Sequence, residues 1–320
     1  MSKKYPPQNE APDKSQDLVG SLQLHIPVML DDVLRLLNPA RGESYLDLTA
    51  GYGGHADAVL NITGAASTLV DRDENAIKHL KSLGLKDAEL IHQDFASTAR
   101  QLGDKKQTFD MVLVDLGVSS PQLDRAERGF SFRARAPLDM RMDGRQEQTA
   151  ADIANNMRQD ELAKIIRLYG EEKPFNARKI AEAIVANRPI HSTSDLADII
   201  KQTIRSRGRI HPATRTFQAL RIVTNDELGQ IEQLLPLIPD LLKPGGRAVL
   251  ISFHSLEDRL VKQYLKTQKE MGLEAELEPI LKRPIEGSTT DVHNPRARSA
   301  KLRAAVKIKN ESGNRGIGET

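Results

Sequence analysis

The chain has 320 residues and carries 46 Lys and Arg against 44 Asp and Glu, a net charge of +2. This balance excludes a uniformly basic nucleic-acid-binding protein, so any surface for nucleic acid requires an uneven distribution of charge. The absence of cysteine excludes disulfides, thiolate metal sites and a cysteine nucleophile, and it favours a reducing, cytoplasmic location.

Residues 1–24 are rich in Pro, Ser, Lys, Asp and Gln, a composition typical of a disordered tail. The tail lacks the apolar core of a signal peptide, and no apolar run of the chain approaches the roughly 20 residues that span a bilayer. We expect folding to begin near His25, with a helix over residues 29–37 that ends at Asn38 and Pro39.

A glycine-rich turn after a short apolar run is the central feature of the sequence. The run, residues 45–48, predicts a buried strand, and helical spacing begins at Ala56. Gly51, Gly53 and Gly54 between them allow a left-handed backbone and a close approach to a ligand. This strand, glycine loop and helix form a mononucleotide-binding unit, with the ligand expected at the carboxyl end of the strand.

The next two predicted strands, residues 67–70 and 89–92, also lead into polar residues. Asp71 lies 20 residues after Gly51, the spacing at which an acidic residue binds ribose hydroxyls in such folds. Asp73 precedes a helical stretch and is assigned as its N-cap. Phe95 follows the second of these strands and could belong to the core or pack against a purine.

Residues 109–115 form a nearly continuous apolar run, which is typical of a central parallel strand buried on both faces. The run ends at Asp115, and a loop over residues 116–122 follows. Carboxyl ends of parallel strands meet at one edge of a sheet, so we expect Asp115 and Gln122 to lie near the glycine loop and Asp71.

From Asp124 to Arg221 only helical spacing remains, which predicts an inserted all-helical subdomain. This stretch holds 19 Lys and Arg against 13 Asp and Glu, a balance of +6 that leaves the rest of the chain at −4. A charge run is usually a solvated face, but arginines interleaved with Phe130 and Phe132 fit an RNA surface with stacking platforms equally well. The arginines are Arg125, Arg128, Arg133, Arg135, Arg141, Arg145, Arg205, Arg207, Arg209 and Arg215.

The strand and helix alternation resumes after the insertion. Apolar spacing over residues 231–242 predicts a helix that Pro236 and Pro239 must kink or divide. A turn at residues 243–246 and a core strand at residues 247–253 follow.

The last part of the chain completes the predicted sheet domain, which comprises residues 25–123 and 222–308. Ser255 is expected to cap a helix, with Asp258 completing a capping box. Residues 302–308 alternate as a last, antiparallel strand, and residues 309–320 form a C-terminal tail.

The glycine loop lacks the full G-x-G-x-x-G spacing of dinucleotide sites and the lysine of a P-loop. A nucleoside cofactor without a pyrophosphate therefore fits best. S-adenosylmethionine meets this description, with the glycines beside its methionine end, Asp71 on the ribose, and Phe95 and Asp115 near the adenine. A nicotinamide-dependent dehydrogenase and a non-catalytic RNA-binding protein are the alternatives from other classes.

Nine stretches of the sequence are motif-like and follow one another in a characteristic order. They are residues 25–30, 49–55, 71–73, 115–124, 127–132, 138–143, 211–218, 252–259 and 294–299. These motifs resemble those of the MraW family of bacterial ribosomal RNA small-subunit methyltransferases. The resemblance runs from His25 to about Ile308.

The resemblance implies transfer of a methyl group from S-adenosylmethionine to the N4 amine of one cytidine in the decoding region of 16S rRNA, within the small ribosomal subunit. It also implies a Rossmann-like sheet with a helical insertion. Ala50 departs from the leucine or phenylalanine usual in the family, and the segment before Asn294 is short. The family's cofactor contacts fall on Gly53, Gly54, His55, Asp71, Phe95, Asp115 and Gln122.

Further expectations concern the substrate. We expect the loop Ser119, Ser120 and Pro121 to orient the target amine and Arg215 to contact RNA. No residue is assigned to proton transfer, and no metal site is predicted. A methyltransferase of the same fold that acts on DNA or protein is the runner-up interpretation.

Overall fold

The structure is a computed structural model that describes residues 27–204 and 211–309. Several sequence expectations therefore lie outside the described residues. These are the N-terminal tail, His25, Arg205, Arg207, Arg209 and nearly all of the C-terminal tail.

One mixed sheet forms the centre of the molecule, in the order β3-β2-β1-β4-β5-β8-β6, with β7 paired to β8. Strands β1 to β5 are parallel, β8 is antiparallel to β5, and β6 and β7 are antiparallel to β8. This topology confirms the predicted α/β class and the antiparallel last strand. The strands are β1 Tyr45–Asp47, β2 Ser67–Asp71, β3 Ala88–His92, β4 Phe109–Asp115, β5 Leu242–Ser252, β6 Leu277–Pro279, β7 Ile285–Glu286 and β8 Lys301–Lys307.

Helices cover both faces of the sheet and build the insertion. No helix within the described residues is both long and apolar enough to cross a membrane. The α-helices are α1 Leu30–Leu37, α2 Gly54–Thr63, α3 Glu74–Leu83, α4 Phe95–Asp104, α5 Ser120–Asp124, α6 Ala150–Asn156, α7 Gln159–Leu168, α8 Pro174–Ala186, α9 Thr193–Thr203, α10 Thr214–Asn225, α11 Glu227–Leu234, α12 Ile238–Leu241, α13 Ser255–Glu270 and α14 Gly287–Thr290. The 3₁₀ turns are Ala126–Arg128, Leu235–Leu237, Gly272–Glu274 and Pro295–Ser299.

The central strand β4 is buried on both faces, as its apolar run predicts. Val112 and Val114 pack in a core with α4, α11 and α13. Met111 and Leu113 point to the opposite core, which α1, α2 and α3 close. Side chains alternate across a strand, so an uninterrupted apolar run fills two cores at once.

The insertion has a hydrophobic core of its own, to which α6 to α10 all contribute. Phe130 is 7% exposed in this core. The ring of Phe132 packs against the ring of Phe217, with centroids 4.8 Å apart. Phe130 is therefore not available as a stacking platform, because its ring fills the core of the insertion, whereas a stacking role for the half-buried Phe132 stays a prediction. Helix α10 continues through residue 221, and the boundaries at 124 and 221 stay a prediction.

The turn predicted at residues 243–246 is wrong, because β5 already begins at Leu242. Leu242 pairs with Phe109 and Arg247 pairs with Met111, so the extra residues form an irregularity inside the strand. A Cβ at Gly246 would lie 2.8 Å from the carbonyl oxygen of Lys243, which explains why a glycine occupies this position. The division of the preceding helix at Pro236 and Pro239 is confirmed.

The capping box predicted from Ser255 and Asp258 is wrong. Ser255 is the first helical residue of α13, and His254 is the N-cap. Glu257 completes the cap, since its Oε2 accepts the N–H groups of Phe253 and His254 at 2.7 and 3.2 Å. Asp258 instead accepts a hydrogen bond from Arg303 at 2.7 Å, which ties α13 to β8.

Candidate active site at the carboxyl ends of the strands

The glycine loop between β1 and α2 is compact. Gly53 has φ +84°, a left-handed conformation that disfavours other residues, and α2 begins at Gly54. A Cβ at Gly54 would lie 2.6 Å from Cγ of Pro27. The N–H of Gly51 donates to Oδ2 of Asp71 at 2.8 Å, so the loop is fixed to the tip of β2.

Both carboxylate oxygens of Asp71 accept hydrogen bonds from main-chain N–H groups. Its Oδ1 accepts the N–H of Asp73 at 2.7 Å. Burial raises the pKa of Asp71 to about 6. Each oxygen keeps a second lone pair that could accept a ligand hydroxyl. Asp73 caps α3 through the N–H of Asn75, which confirms its predicted role.

Gln122 lies beside the tip of β2, although it follows β4 in the chain. Its Nε2 donates to Oδ2 of Asp73 at 2.9 Å, and its Oε1 accepts the N–H of Ser119 at 2.9 Å. The side chain is 5% exposed. Gln122 therefore joins the turn after β4 to the turn after β2.

The carboxyl group of Asp47, which is buried, lies at the tip of β1, and that of Asp115, which is half-buried, lies at the tip of β4. The N–H of Asp115 donates to Oγ1 of Thr49 at 2.6 Å, and the hydroxyl of Tyr45 donates to Asp47 at 2.9 Å. Burial raises the pKa of Asp47 to about 7. Burial, together with the charges of Asp47 and Glu257, raises the pKa of Asp115 well above its usual range. Sequence reasoning missed Asp47, although an acid at the end of an apolar strand was the available signal.

His55 connects the start of the fold to the tip of β4. It is 7% exposed, and its Nε2 donates to the carbonyl oxygen of Val28 at 3.0 Å. Its Nδ1 lies 3.8 Å from Oδ2 of Asp115. The structure therefore brings His55 and Asp115 together, as the sequence predicts for a shared pocket.

Ser119, Ser120 and Pro121 form the entry to α5. Ser119 is the N-cap, Ser120 is buried, and Pro121 is in the first turn. Phe95 is the first residue of α4, and its half-buried ring packs partly against the core around β4. Both the core and the ligand-stacking interpretation of Phe95 are thus compatible with its position.

Three buried polar atoms near these strand tips have no hydrogen-bond partner among the described residues: Oη of Tyr52, Oδ1 of Asp115 and Oγ of Ser119. Buried polar groups normally have partners, so these three atoms are free to accept or donate hydrogen bonds to a ligand. The hydroxyl and amino groups of an adenosyl donor are suitable partners for these atoms. The residues therefore fit S-adenosylmethionine.

A second polar cluster, which sequence reasoning missed, lies behind the tip of β5. Arg221 donates to both carboxylate oxygens of Glu227 at 2.8 Å. Nε2 of His254 lies 3.2 Å from Oε1 of Glu257 and 4.0 Å from Oε2 of Glu227. Burial alone lowers the pKa of His254, but the contacts with Glu227 and Glu257 outweigh it and raise the pKa to about 9.

One ligand atom from each of Glu227, His254 and Glu257 lies within 4.8 Å of the others, a spacing that could hold a metal ion. Arg221 and a protonated His254 already balance the two carboxylates, however. The cluster is therefore electrically neutral without a metal. The link between these four residues cannot be read from sequence, because they come from three separate elements.

Most of the described arginines predicted to bind RNA are engaged within the protein. Arg128 pairs with Asp73, and Arg215 lies 3.4 Å from Glu172, which is 8% exposed. Three further pairs are Arg135 with Asp195, Arg141 with Asp139, and Arg145 with Asp143. Arg125 and Arg133 are exposed and have no ion-pair partner in the described ranges. The RNA contacts of these arginines, Arg215 included, stay a prediction.

The glycine loop, Asp71 and Asp115 converge where the strand order reverses between β1 and β4, which is where ligands bind in open α/β sheets. This fold and site define a Rossmann-like methyltransferase. The chain belongs to the MraW methylase family, whose sequence pattern matches residues 22–308. Membership confirms the resemblance seen in the sequence, and with it a methyltransferase that uses S-adenosylmethionine.

Individual relatives cover nearly the whole chain. A protein of Acidobacterium capsulatum named ribosomal RNA small subunit methyltransferase H is 46% identical over 88% of this chain and 98% of its own. A protein of Cyanothece with the same name is 46% identical over 89% of this chain and 95% of its own. Among solved structures, an rRNA methylase from Streptococcus thermophilus covers 88% of this chain and 94% of its own, with 11% identity and a TM-score of 0.39.

Proposed function

We propose that the protein methylates the N4 amine of one cytidine in the decoding region of 16S rRNA, within the small ribosomal subunit in the cytoplasm. The main support is the family relationship, because relatives 46% identical over almost their full length are named as small-subunit rRNA methyltransferases. The family's cofactor contacts are proposed to bind S-adenosylmethionine in this protein. They are Gly53, Gly54, His55, Asp71, Phe95, Asp115 and Gln122.

A cytosine N4 amine is a poor nucleophile, since its lone pair is delocalised into the ring. The cofactor supplies an electrophilic methyl group, and the enzyme must aim the amine at it. Positioning of this kind can lower a barrier by about 7–11 kcal/mol. The unpartnered Oγ of Ser119, in the turn after β4, is a suitable acceptor for an amine hydrogen.

No base is needed before methyl transfer, because the amine proton becomes acidic only when the nitrogen has gained its methyl group. We assign the loop of Ser119, Ser120 and Pro121 the role of orienting the amine, and leave the proton acceptor unassigned. The target base must leave its stack to reach this position, at a cost of a few kcal/mol.

The test is to incubate the purified protein with labelled S-adenosylmethionine and with small subunits from a strain that lacks the gene. We expect the label in N4-methylcytidine after digestion of the 16S rRNA to nucleosides. Label in ribosomal protein, in DNA added in parallel, or in another nucleoside would contradict the proposal.

A further inference from the structure

A surface groove of about 580 Å³ lies between α7 and α8 in the insertion. Ala163 and Pro174 line it, together with three cationic side chains: Lys164, Arg167 and Arg178. The groove is separate from the strand tips that form the candidate active site.

The three cations of this groove are not neutralised by the protein. Lys164, Arg167 and Arg178 are exposed, and none of them forms an ion pair with a residue in the described ranges. The acid that lines the groove, Asp160, lies 3.5 Å from Arg158. These cations therefore differ from the arginines at residues 125–145, most of which form ion pairs with carboxylates of the protein.

An exposed aromatic residue, Phe175, comes directly after Pro174, which lines the groove. Phe175 is 68% exposed, a large solvent-facing area for a phenyl ring. The ammonium group of Lys179 lies 4.6 Å from the ring centroid, in cation–π geometry. A cation beside an accessible ring is a combination that binds an unpaired base and its phosphate.

The start of α8 lies close to the methyltransferase sheet. Glu171, in the turn between α7 and α8, accepts a hydrogen bond from Ser255 and lies 3.4 Å from Arg259. Ser255 and Arg259 belong to α13, which follows the tip of β5. A strand of RNA that runs along this groove would thus be near the carboxyl ends of the strands, where the candidate active site lies.

We infer that the groove between α7 and α8 binds the backbone of a single-stranded segment of the rRNA substrate, with its phosphates on Lys164, Arg167 and Arg178 and a base stacked on Phe175. This inference rests on the proposed function for the identity of the RNA. Charge complementarity selects RNA, since unpaired cations around a groove match a phosphodiester chain.

The test compares the triple substitution Lys164→Ala, Arg167→Ala and Arg178→Ala with the unchanged protein. We expect the Kd for a fluorescent 16S decoding-region transcript to rise about tenfold or more. Each phosphate contact in single strands contributes about 0.7 to the slope of log K against log salt, so the slope should fall by about two. The KM for small subunits should rise, with kcat and the affinity for S-adenosylhomocysteine unchanged.

Phe175→Ala separates stacking from charge. Loss of one stacked base should weaken binding about tenfold and leave the salt slope unchanged. A matched control replaces three exposed cations, Arg41, Lys86 and Lys105, with alanine. They precede β1, β3 and β4, at the end of the sheet opposite the candidate active site. The control should bind the transcript as the unchanged protein does.

Equal Kd and equal salt slope for the groove and control triples would overturn the inference. So would a groove triple that binds naked transcript normally but loses affinity for subunits, because the groove would then contact ribosomal protein. Failure of the proposed function has a different signature, in which the unchanged protein puts no methyl group on cytidine N4 while the binding comparison still gives its own result.

Discussion

The guanidinium of Arg128 donates to Oδ2 of Asp73 at 2.6 Å, and this contact joins the insertion to the sheet. The other end of the guanidinium donates to the carbonyl oxygens of Arg141 and Met142 at 3.0 and 3.1 Å. Gln122 donates to the same Asp73 oxygen. One carboxylate therefore holds together the turn after β2, the turn after β4 and the first segment of the insertion.

Arg128→Ala should destabilise the protein strongly. The side chains of Arg128 and Asp73 are 16% and 3% exposed. Removal of one partner of a buried pair leaves an uncompensated charge, at a cost of about 3–5 kcal/mol. Denaturant unfolding measures this loss. Arg145→Ala, whose side chain is 57% exposed in its pair with Asp143, should cost no more than about 1 kcal/mol, and equal losses in the two variants would contradict the assignment.

The sequence predicts the sheet well because its signals are local. Apolar runs that end in polar residues place Asp71 and Asp115 at strand tips, and the alternation of residues 302–308 predicts β8. Glycines with left-handed backbone mark the loop before α2. These features depend on neighbours in the chain, so no tertiary information is needed to find them.

Pairing over distance is what the sequence cannot give. Arg128 and Asp73 are 55 residues apart, and nothing in the motif around Arg128 distinguishes a phosphate ligand from an ion-pair partner. The same holds for Phe130, whose burial depends on how the insertion packs. The His254 cap was missed for a chemical reason, because histidine is not among the residues that commonly cap helices.

Asp71→Ala should abolish binding of S-adenosylhomocysteine in isothermal calorimetry. The variant removes the predicted ribose acceptor and also the group that fixes Gly51 and the turn at Asp73. Glu74→Ala, at an exposed position in the first turn of α3, is the control and should bind normally. Thermal unfolding shows whether the variant is folded. Unchanged affinity in a folded Asp71→Ala variant would refute the ribose assignment.

Asp47 should make the protein less stable as pH rises. Its pKa is about 7 in the folded protein against 3.8 for a free side chain, so the folded state binds more protons between these values. The free energy of unfolding therefore falls as pH rises through this window, by about 1.4 kcal/mol per unit of pKa difference.

Asp47→Asn removes that contribution, and the variant should lose less stability than the unchanged protein between about pH 4 and pH 7. The measurement is urea unfolding at a series of pH values. Asp71, with a raised pKa, keeps part of the slope in the variant. The exposed Asp57 provides the control substitution, Asp57→Asn, which should keep the full slope. Identical slopes for Asp47→Asn and the unchanged protein would show that folding does not raise the pKa of Asp47.

His254 should remain an imidazolium at about pH 8, where an ordinary histidine is neutral. Burial opposes the charge, but the carboxylates of Glu227 and Glu257 raise the pKa to about 9. Nitrogen-15 NMR of the imidazole rings, assigned with a His254→Gln variant, should show both ring nitrogens protonated. Glu227→Gln removes one carboxylate and should shift the titration of His254 to lower pH.

The raised pKa also makes stability depend on pH. The stabilisation that the charged His254 contributes is present below about pH 6.5 and is lost as pH rises through about 9. A neutral ring at about pH 8 would mean that the two carboxylates behind β5 share a proton or a metal ion instead.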